Sequence, residues 1–313
     1  MEAGVGAPSA RSETRPFARG AGAAWLAVVR DYITLTKPRI ISLLLVTTVA
    51  TMLVADPAGP ALLTVLWTVI GGYLAAGGAG AINHYLDRER DAKMARTASR
   101  PLVSGRIEPV HGLTFGITLG AMAFFQLWLT VNLLAATLAM AGLLGYVFVY
   151  TMWLKPLTPQ NIVIGGAAGA VPPLVGWAAA TGSLSIDALW PFAIVFLWTP
   201  PHFWALSLMI KDDYARTGVP MMPVVRGEDS TRRQILVYSV ILAVASVLPV
   251  VTGLFGGIYL ASALILGGIF CALAVRLLRR HDRPAALRLY LWSLSYLAML
   301  FTAMAADRMV LAA

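Results

Sequence analysis

The sequence predicts an all-α, polytopic membrane protein, built as a bundle of nine transmembrane helices around a central cavity that faces the cytoplasm. Three observations carry this prediction. Hydrophobic residues make up 58% of the 313-residue chain and charged residues only 12%, whereas about a quarter of the residues in soluble domains are charged. Apolar runs recur along the whole chain, each close to the ~20 residues that cross a bilayer core. Basic residues fall in every second connection between these runs.

The nine predicted spans follow one another with mostly short connections. They cover residues 39–55, 61–83, 111–130, 132–154, 161–180, 188–210, 234–254, 257–278 and 286–306. Small residues are frequent in the second and fifth spans, and paired prolines interrupt the fifth and sixth. Small residues let helices approach closely, and kinked helices at membrane depth are tolerated where they are buried or line a cavity. These features fit both tight packing and a groove for a long apolar ligand.

Lysine and arginine indicate how the bundle is oriented. They lie before the first span and after every even-numbered span, whereas the connections after the first, third, fifth and seventh spans contain neither. By the positive-inside rule the N-terminus is cytoplasmic and the C-terminus is outside. The net charge of +9 lies in the connections between the spans, where it fits membrane topology. We therefore expect the lipid bilayer as a partner and no nucleic acid. The N-terminus lacks organelle-targeting character, which indicates the inner (plasma) membrane of a bacterium.

The N-terminal segment differs in composition from the rest of the chain. Residues 1 to about 22 are rich in glycine, alanine, serine and arginine, a composition typical of disorder. Residues 21–29 are apolar and lead into charged residues, which favours an interfacial helix over a signal peptide. We therefore expect a disordered or interfacial tail over residues 1–30 and a single nine-helix transmembrane domain over residues 31–313.

A first polar segment follows the second span and covers residues 83–101. Within it, Asn83, Asp87 and Asp91 are spaced i, i+4 and i+8, so on a helix their side chains share one face. Carboxylates one turn apart repel each other unless a cation lies between them. Mg²⁺ prefers carboxylate oxygens and is usually completed by substrate phosphates. The segment is therefore interpreted as a Mg²⁺–diphosphate site at a membrane face, with a solvated, charge-mixed loop as the alternative.

A second polar segment ends the sixth span, on the same side of the membrane. Lys211, Asp212, Asp213 and Tyr214 are consecutive there. Two acidic segments at matching depth suggest two walls of one site, each holding one Mg²⁺, with a diphosphate bridging them. Isolated aspartates at a membrane edge are usually only solvated, but the shared side and the flanking basic residues favour a common site.

Basic and aromatic side chains near the acidic segments are candidates for substrate contacts. Arg96 and Arg100 close the first segment, and guanidinium groups suit phosphate oxygens. Lys155 is the only basic residue between the fourth and fifth spans, and it follows Tyr150. Its ammonium group either contacts a phosphate or extends to the membrane interface, where lysine is also stable.

One histidine, His202, lies within the sixth span, directly after Pro200 and Pro201. Ionisable groups inside a membrane are expensive and often functional. The ring could ligate a haem iron or steer a proton. The alternative is a buried, neutral histidine that makes one hydrogen bond.

The polar segments resemble those of a known family. The motif N-x-x-x-D-R-x-x-D-x-x-M-x-R-T-x-x-R-P occurs at Asn83, Asp87, Arg88, Asp91, Met94, Arg96, Thr97, Arg100 and Pro101. It resembles the first signature of the intramembrane aromatic prenyltransferases. Residues 158–170, 200–204 and 211–223 resemble further signatures of one branch, whose acceptor is haem b. The matching motifs extend from Thr36 to Arg233, and the nine-span architecture covers nearly all the rest.

The resemblance implies an activity: transfer of the farnesyl group of farnesyl diphosphate to the 2-vinyl group of haem b, which gives haem O. It implies catalytic roles for five residues, namely Asn83, Asp87, Asp91, Asp212 and Asp213, and Mg²⁺ binding by the four aspartates. The implied substrate-binding residues are Arg96, Arg100, Tyr150, Lys155, His202, Lys211 and Tyr214. Mg²⁺ is then the cofactor and haem b a substrate. Association with haem A synthase or with oxidase assembly is also expected.

Other functions remain open from the sequence. A quinone precursor or a chlorophyllide could be the prenyl acceptor, because the diphosphate half of the reaction would be the same. A transporter or channel would need polar groups in mid-membrane, whereas here they crowd one face. A non-catalytic assembly factor for a haem–copper oxidase would not need two acidic segments beside a common basic rim.

Overall fold

The computed structural model describes residues 21–312, and all their regular structure is helical. Helix α1 (Ala21–Thr36) precedes the membrane bundle. Nine helices within the described residues are long and apolar enough to cross a membrane. They are α2 (Pro38–Ala55), α3 (Leu62–Asp91), α4 (Pro109–Thr130), α5 (Leu133–Leu144, continuing to Leu157), α7 (Asn161–Thr181), α8 (Leu189–Met209), α11 (Glu228–Val251), α12 (Gly257–Arg280) and α13 (Arg283–Ala312).

Three helices are short. Helix α6 (Lys155–Leu157) is the last turn of the span that begins with α5, and α9 (Lys211–Thr217) and α10 (Met222–Val225) lie in the connection between α8 and α11. A single 3₁₀ turn, Ile186–Ala188, leads into α8. The predicted nine-span, all-helical architecture is confirmed.

Several helices extend beyond the apolar runs that predicted them. Helix α3 continues to Asp91, past the predicted end at residue 83, and α11 begins at Glu228 instead of residue 234. Apolar runs mark only the part of a helix that crosses lipid. The polar extensions lie beyond it, and acidic residues in the first turn of α11 suit the helix dipole there.

The N-terminal part of the chain is described only in part. The disorder expected for residues 1–20 lies outside the described residues. Residues 21–36 form one helix, α1, which crosses the boundary that the sequence suggested at residue 30.

Close helix contacts fix the position of α3 and α7. A Cβ atom added to Gly78 of α3 would lie 2.7 Å from the carbonyl oxygen of Gly116 of α4. A Cβ added to Gly176 of α7 would lie 2.2 Å from the carbonyl oxygen of Thr48 of α2. Only glycine permits backbones to approach this closely. The polar end of α3 is therefore held by backbone-to-backbone packing further along the helix.

Aromatic side chains fill the other half of the bundle, around α8, α12 and α13. Trp204, Tyr259, Phe270, Tyr296 and Phe301 are fully buried there. Many large apolar side chains are instead exposed on the outside of the bundle, as expected for a lipid-facing surface.

Helix α5 changes its winding before it ends. Gly145–Leu154 is a π-helix, in which hydrogen bonds join residues five apart. The Thr151 hydroxyl donates to the Tyr146 carbonyl at 2.9 Å, and the Lys155 amide donates to the Tyr150 carbonyl. π-Helices are rare in proteins, and those that occur are often found at functional sites. This one carries Thr151 and Lys155 to the polar end of α3.

Candidate active site

The polar segments gather at one end of the bundle, which we call the basic end. Hydrogen bonds join Lys37 to Asn83, Lys155 to Asp87 and Lys211 to Glu228. This end contains the start of α2, the end of α3, helices α6 and α9 and the start of α11. It is the end that the positive-inside rule assigns to the cytoplasm.

Asn83 and Asp87 form the centre of a hydrogen-bond network. The Asn83 amide nitrogen donates to Asp87 Oδ2 at 2.8 Å and to Thr151 Oγ1 at 3.2 Å. Lys155 Nζ donates to the same Asp87 oxygen at 2.5 Å, and Lys37 Nζ donates to Asn83 Oδ1 at 2.6 Å. The network therefore joins α3 to the π-helix and to the start of α2.

The two carboxylates of α3 are buried and paired with cations. Asp87 is 2% exposed and also accepts a hydrogen bond from Arg90 at 3.2 Å, whereas Asp91 is 5% exposed and pairs with Arg100. The buried Thr97 hydroxyl donates to the Asp91 carbonyl at 2.9 Å. This bond holds the segment after α3 against the end of the helix, where Arg100 can pair with Asp91. The predicted helical face of the first segment is present.

The second polar segment forms α9. Asp212 is exposed, Asp213 pairs with Arg216, and Lys211 pairs with Glu228. The hydrogen bond to Glu228 raises the pKa of Lys211. Burial raises the pKa of Tyr214 to about 12, although the nearby Arg96 acts against this shift. Tyr214 therefore keeps its hydroxyl proton at neutral pH.

A hydrophobic cluster packs the two polar segments against each other. Met94 of the first segment lies with Tyr214 of the second, with Val219 and Met221 after α9, and with Ile162 of α7. Within residues 21–312, however, no three acidic, histidine or cysteine side chains are grouped as metal ligands would be. Three of the predicted metal ligands, Asp87, Asp91 and Asp213, form ion pairs with Lys155, Arg100 and Arg216.

The remaining predicted substrate contacts lie around this cluster. Arg96 is exposed, and its charge acts on buried Tyr214. Tyr150 packs at the edge of the hydrophobic cluster, and its ring centroid lies 5.4 Å from that of Tyr146. Arg96 of the first segment therefore lies near the second segment, and Tyr150 lies near both.

His202 has a separate set of contacts. Its ring lies between Trp198, at 4.2 Å between centroids, and Tyr290, at 4.8 Å, and both pairs are stacked. Nδ1 is 2.6 Å from Ser293 Oγ. These partners belong to α8 and α13, and none of them is part of the acidic network.

Sequence reasoning missed Lys37, Arg90 and Thr151 as members of the network. Lys37 adopts a left-handed backbone conformation with φ 59° directly before Pro38, an uncommon choice outside glycine that is often functional. Burial lowers the pKa of Lys37 to about 7, helped by Arg100 and Lys155. The sequence contained one signal for Lys37: a basic residue directly before a proline, at the membrane face that carries the two polar segments.

The donor set fits a divalent cation with a diphosphate. One face of α3 carries an amide and two carboxylates, the hard oxygen ligands that Mg²⁺ prefers. Lys37, Lys155 and Arg100 lie directly against these groups. Ammonium and guanidinium groups bind phosphate oxygens through charge-assisted hydrogen bonds. The site can thus hold both a cation and the anion that accompanies it.

Known sequences match this chain over most of its length. The model of the UbiA prenyltransferase family matches residues 44–299. The chain is 54% identical over 285 residues to the protoheme IX farnesyltransferase of Roseiflexus sp. (strain RS-1), covering 91% of this chain and 53% of that protein. It is 55% identical over 282 residues to the protoheme IX farnesyltransferase of Symbiobacterium thermophilum, covering 90% and 94%. The chain spans about half the length of several curated relatives, including the first, and nearly all of others.

Solved structures share the fold. A structure of digeranylgeranylglyceryl phosphate synthase matches with a TM-score of 0.74 and 18% identity, covering 91% of this chain and 99% of that one. A UbiA homologue from Archaeoglobus fulgidus bound to DMAPP and Mg²⁺ matches with a TM-score of 0.61 and 14% identity, covering 87% and 99%. At these identities the structures establish the fold alone. With the family model and the sequence relatives, they lead to one conclusion: the chain belongs to the UbiA prenyltransferase family, in the group of the protoheme IX farnesyltransferases.

Proposed function

We propose that the protein transfers the farnesyl group of farnesyl diphosphate to the 2-vinyl group of haem b and so makes haem O. The observation that carries this proposal is the buried network of Asn83, Asp87 and Lys155 at the basic end. Its carboxylate and its ammonium group suit a metal-bound diphosphate. The relatives that match about nine-tenths of this chain are protoheme IX farnesyltransferases, which supports haem b as the acceptor.

The residues of α3 would hold the cofactor. Asp87 and Asp91, with Asn83 as a neutral ligand or orienting group, would bind Mg²⁺, and Asp212 or Asp213 would contribute from the second segment. When bound there, Mg²⁺ supplies Lewis-acid neutralisation of the leaving diphosphate. The Archaeoglobus fulgidus homologue, which shares the fold and binds DMAPP together with Mg²⁺, supports this choice of metal.

The basic residues of the site would change partners when substrate binds. Lys155 and Arg100 now neutralise Asp87 and Asp91. Once the carboxylates face a metal ion, both cations are free to donate to phosphate oxygens. Lys37, Arg96 and Lys211 add positive charge at the same end. The net effect is a basic rim that holds the diphosphate while its bond to the prenyl chain breaks.

The transfer itself needs a dry site. The C–O bond of farnesyl diphosphate breaks, diphosphate keeps the electron pair, and an allylic cation remains. The terminal vinyl carbon of haem b forms the new C–C bond, and water then adds to the inner carbon with loss of a proton. Tyr150 and Tyr214, packed in the cluster beside the carboxylates, would exclude water until the C–C bond has formed.

His202 is the candidate contact for haem. Ser293 is hydrogen bonded to Nδ1, which leaves Nε2 as the ring nitrogen that can reach iron. The stacked rings of Trp198 and Tyr290 hold the imidazole in one orientation. His202 would thus position the acceptor from α8 while α3 holds the diphosphate.

The cellular setting belongs to the same proposal. The chain is a multi-pass membrane protein with bacterial relatives. We infer a single transmembrane domain in the bacterial inner membrane, with a cytoplasmic N-terminus and with haem A synthase or the oxidase assembly machinery as protein partners.

An acceptor assay tests the proposed reaction. Purified protein in lipid vesicles is incubated with farnesyl diphosphate, Mg²⁺ and either haem b, a quinone precursor or a chlorophyllide, and the products are identified by mass spectrometry. We expect haem O from haem b, none with Asp87→Asn, and normal amounts with Asp56→Asn, a control at the opposite end of the bundle. Prenylation of another acceptor but not of haem b, by folded protein, would contradict the proposal.

A further inference from the structure

His84 is a buried histidine whose ring has no hydrogen-bond partner. It is 3% exposed, and neither Nδ1 nor Nε2 has a partner among the residues that the structure describes. A neutral imidazole offers one N–H donor and one acceptor nitrogen. Buried polar groups are nearly always hydrogen bonded, so an unpartnered ring calls for an explanation.

The ring lies on the side of α3 that faces the junction of α1 and α2. Gly80 is one turn before His84, and a Cβ added there would lie 3.1 Å from the Leu35 carbonyl oxygen and 3.2 Å from that of Thr36. The neighbouring Asn83 accepts the hydrogen bond from Lys37. His84 therefore lies against the junction of α1 and α2, which also places Lys37 beside Asn83.

The charged groups that act on His84 are both cations, Lys37 and Arg100. Each already contacts the candidate active site, because Lys37 donates to Asn83 and Arg100 pairs with Asp91. An anion bound beside the ring would therefore be attracted by the positive potential of these two groups.

We propose that His84 is a diphosphate-binding residue, whose ring N–H donates to a phosphate oxygen of the substrate beside Lys37 and Arg100. This inference rests on the proposed function, in which the basic end binds a prenyl diphosphate. The partner that the ring lacks is the ligand itself. The second ring nitrogen accepts from Lys37 or Arg100 when these cations turn from the α3 side chains towards the phosphates.

A purely structural role for the ring makes the opposite prediction. If His84 only fills space, an apolar ring of similar size should serve equally well, and ligand binding should not change. If the ring binds diphosphate, the apolar ring should lower ligand affinity without destabilising the protein, because it removes polar atoms that have no partner within the protein.

The test compares His84→Phe, His84→Leu and His84→Gln with the wild-type protein. The probe is inorganic diphosphate with Mg²⁺, and the measurements are its equilibrium binding and the melting temperature of the ligand-free protein. We expect the Phe and Leu variants to bind about tenfold more weakly with no fall in melting temperature, since a hydrogen bond to a charged group is lost. The Gln variant, whose amide keeps a donor and an acceptor, should stay within about threefold of wild type.

Trp292→Phe is the matched control. Its indole Nε1 is also buried without a partner among the described residues, but it lies on α13, away from α3. This variant should bind diphosphate like the wild type. Wild-type affinity in the Phe or Leu variant would overturn the role of His84. The role would also be overturned if neither the Phe nor the Leu variant folded, because the imidazole would then be required for the fold itself. A wild-type protein that does not bind diphosphate would instead contradict the proposed function, and this inference with it.

Discussion

Lys155 donates a hydrogen bond to Asp87 across 68 positions of sequence, with Nζ 2.5 Å from Oδ2. Both side chains are largely buried, at 13% and 3% exposure. A buried pair of this kind is no strong source of stability, but removing one partner leaves a charge uncompensated. The pair therefore keeps two charges in place at the basic end, and in the proposed function a metal ion and a diphosphate would take over the same contacts.

Removing either partner of this pair should destabilise the protein. We expect Lys155→Met to lower the free energy of unfolding by about 3 kcal/mol, the lower end for a broken buried pair, because Arg90 still contacts Asp87. The double variant Asp87→Asn/Lys155→Met should recover most of this loss but no activity. Thermal unfolding and farnesyl transfer measure the two effects. The exposed Lys93→Met is the control, and equal stability of Lys155→Met and wild type would refute the prediction.

Arg100 should act on the diphosphate and not on haem. Replacing it with glutamine should raise the KM for farnesyl diphosphate about tenfold, because charge-assisted hydrogen bonds are lost, and should leave the KM for haem b unchanged. Arg100→Lys should recover only part of the affinity, since an ammonium lacks the planar fork. Steady-state kinetics with each substrate varied separately check this. Arg233→Gln, an exposed arginine at the same end, is the control, and an unchanged KM in Arg100→Gln would argue against phosphate binding.

The second acidic segment makes a separate prediction about the metal. If Asp212 and Asp213 help to bind Mg²⁺, the double change to asparagine should raise the Mg²⁺ concentration for half-maximal activity about tenfold, since affinity follows the number of charged ligands. Activity measured over a range of Mg²⁺ concentrations tests this. Asp229→Asn removes a nearby exposed carboxylate and serves as control. The same Mg²⁺ dependence in all three proteins would exclude the second segment from the metal site.

His202 should affect haem alone. His202→Ala is expected to shift the absorption spectrum of bound haem b and to weaken haem binding, while binding of Mg²⁺ and diphosphate stays the same. Ser293→Ala should have a smaller effect of the same kind, because Ser293 only orients the ring through Nδ1. Spectrophotometric titration with haem b is the measurement, with exposed His111→Ala as control. An unchanged spectrum and affinity in His202→Ala would remove this residue from the haem site.

The sequence was sufficient to predict those features that depend on local spacing. The apolar runs predicted nine spans, and the i, i+4, i+8 spacing of Asn83, Asp87 and Asp91 predicted their common face, because both follow from helix geometry. The length of α3 was underestimated, since its last turns are polar and extend beyond the lipid.

Features that depend on tertiary contacts could not be predicted in the same way. Lys37 reaches Asn83 across 46 positions through a left-handed residue, and the π-helix that carries Thr151 has no sequence signature. In the structure Lys155 and Arg100 bind Asp87 and Asp91, pairings that the sequence did not indicate, and their contact with phosphate stays a prediction. Sequence indicates which charges share an end of the bundle, but their pairing is decided by packing.

Release of diphosphate by the purified protein, supplied with farnesyl diphosphate, haem b and Mg²⁺, tests the role of the α3 carboxylates most directly. Wild-type protein and Asp56→Asn should release diphosphate and form haem O in equal amounts, and a chelator should stop both. Asp87→Asn, shown to be folded by its melting curve, should release neither product at more than about a hundredth of the wild-type rate, as expected for loss of a group that stabilises the leaving charge. Diphosphate release at the wild-type rate by folded Asp87→Asn would contradict the assignment of this face as the active site.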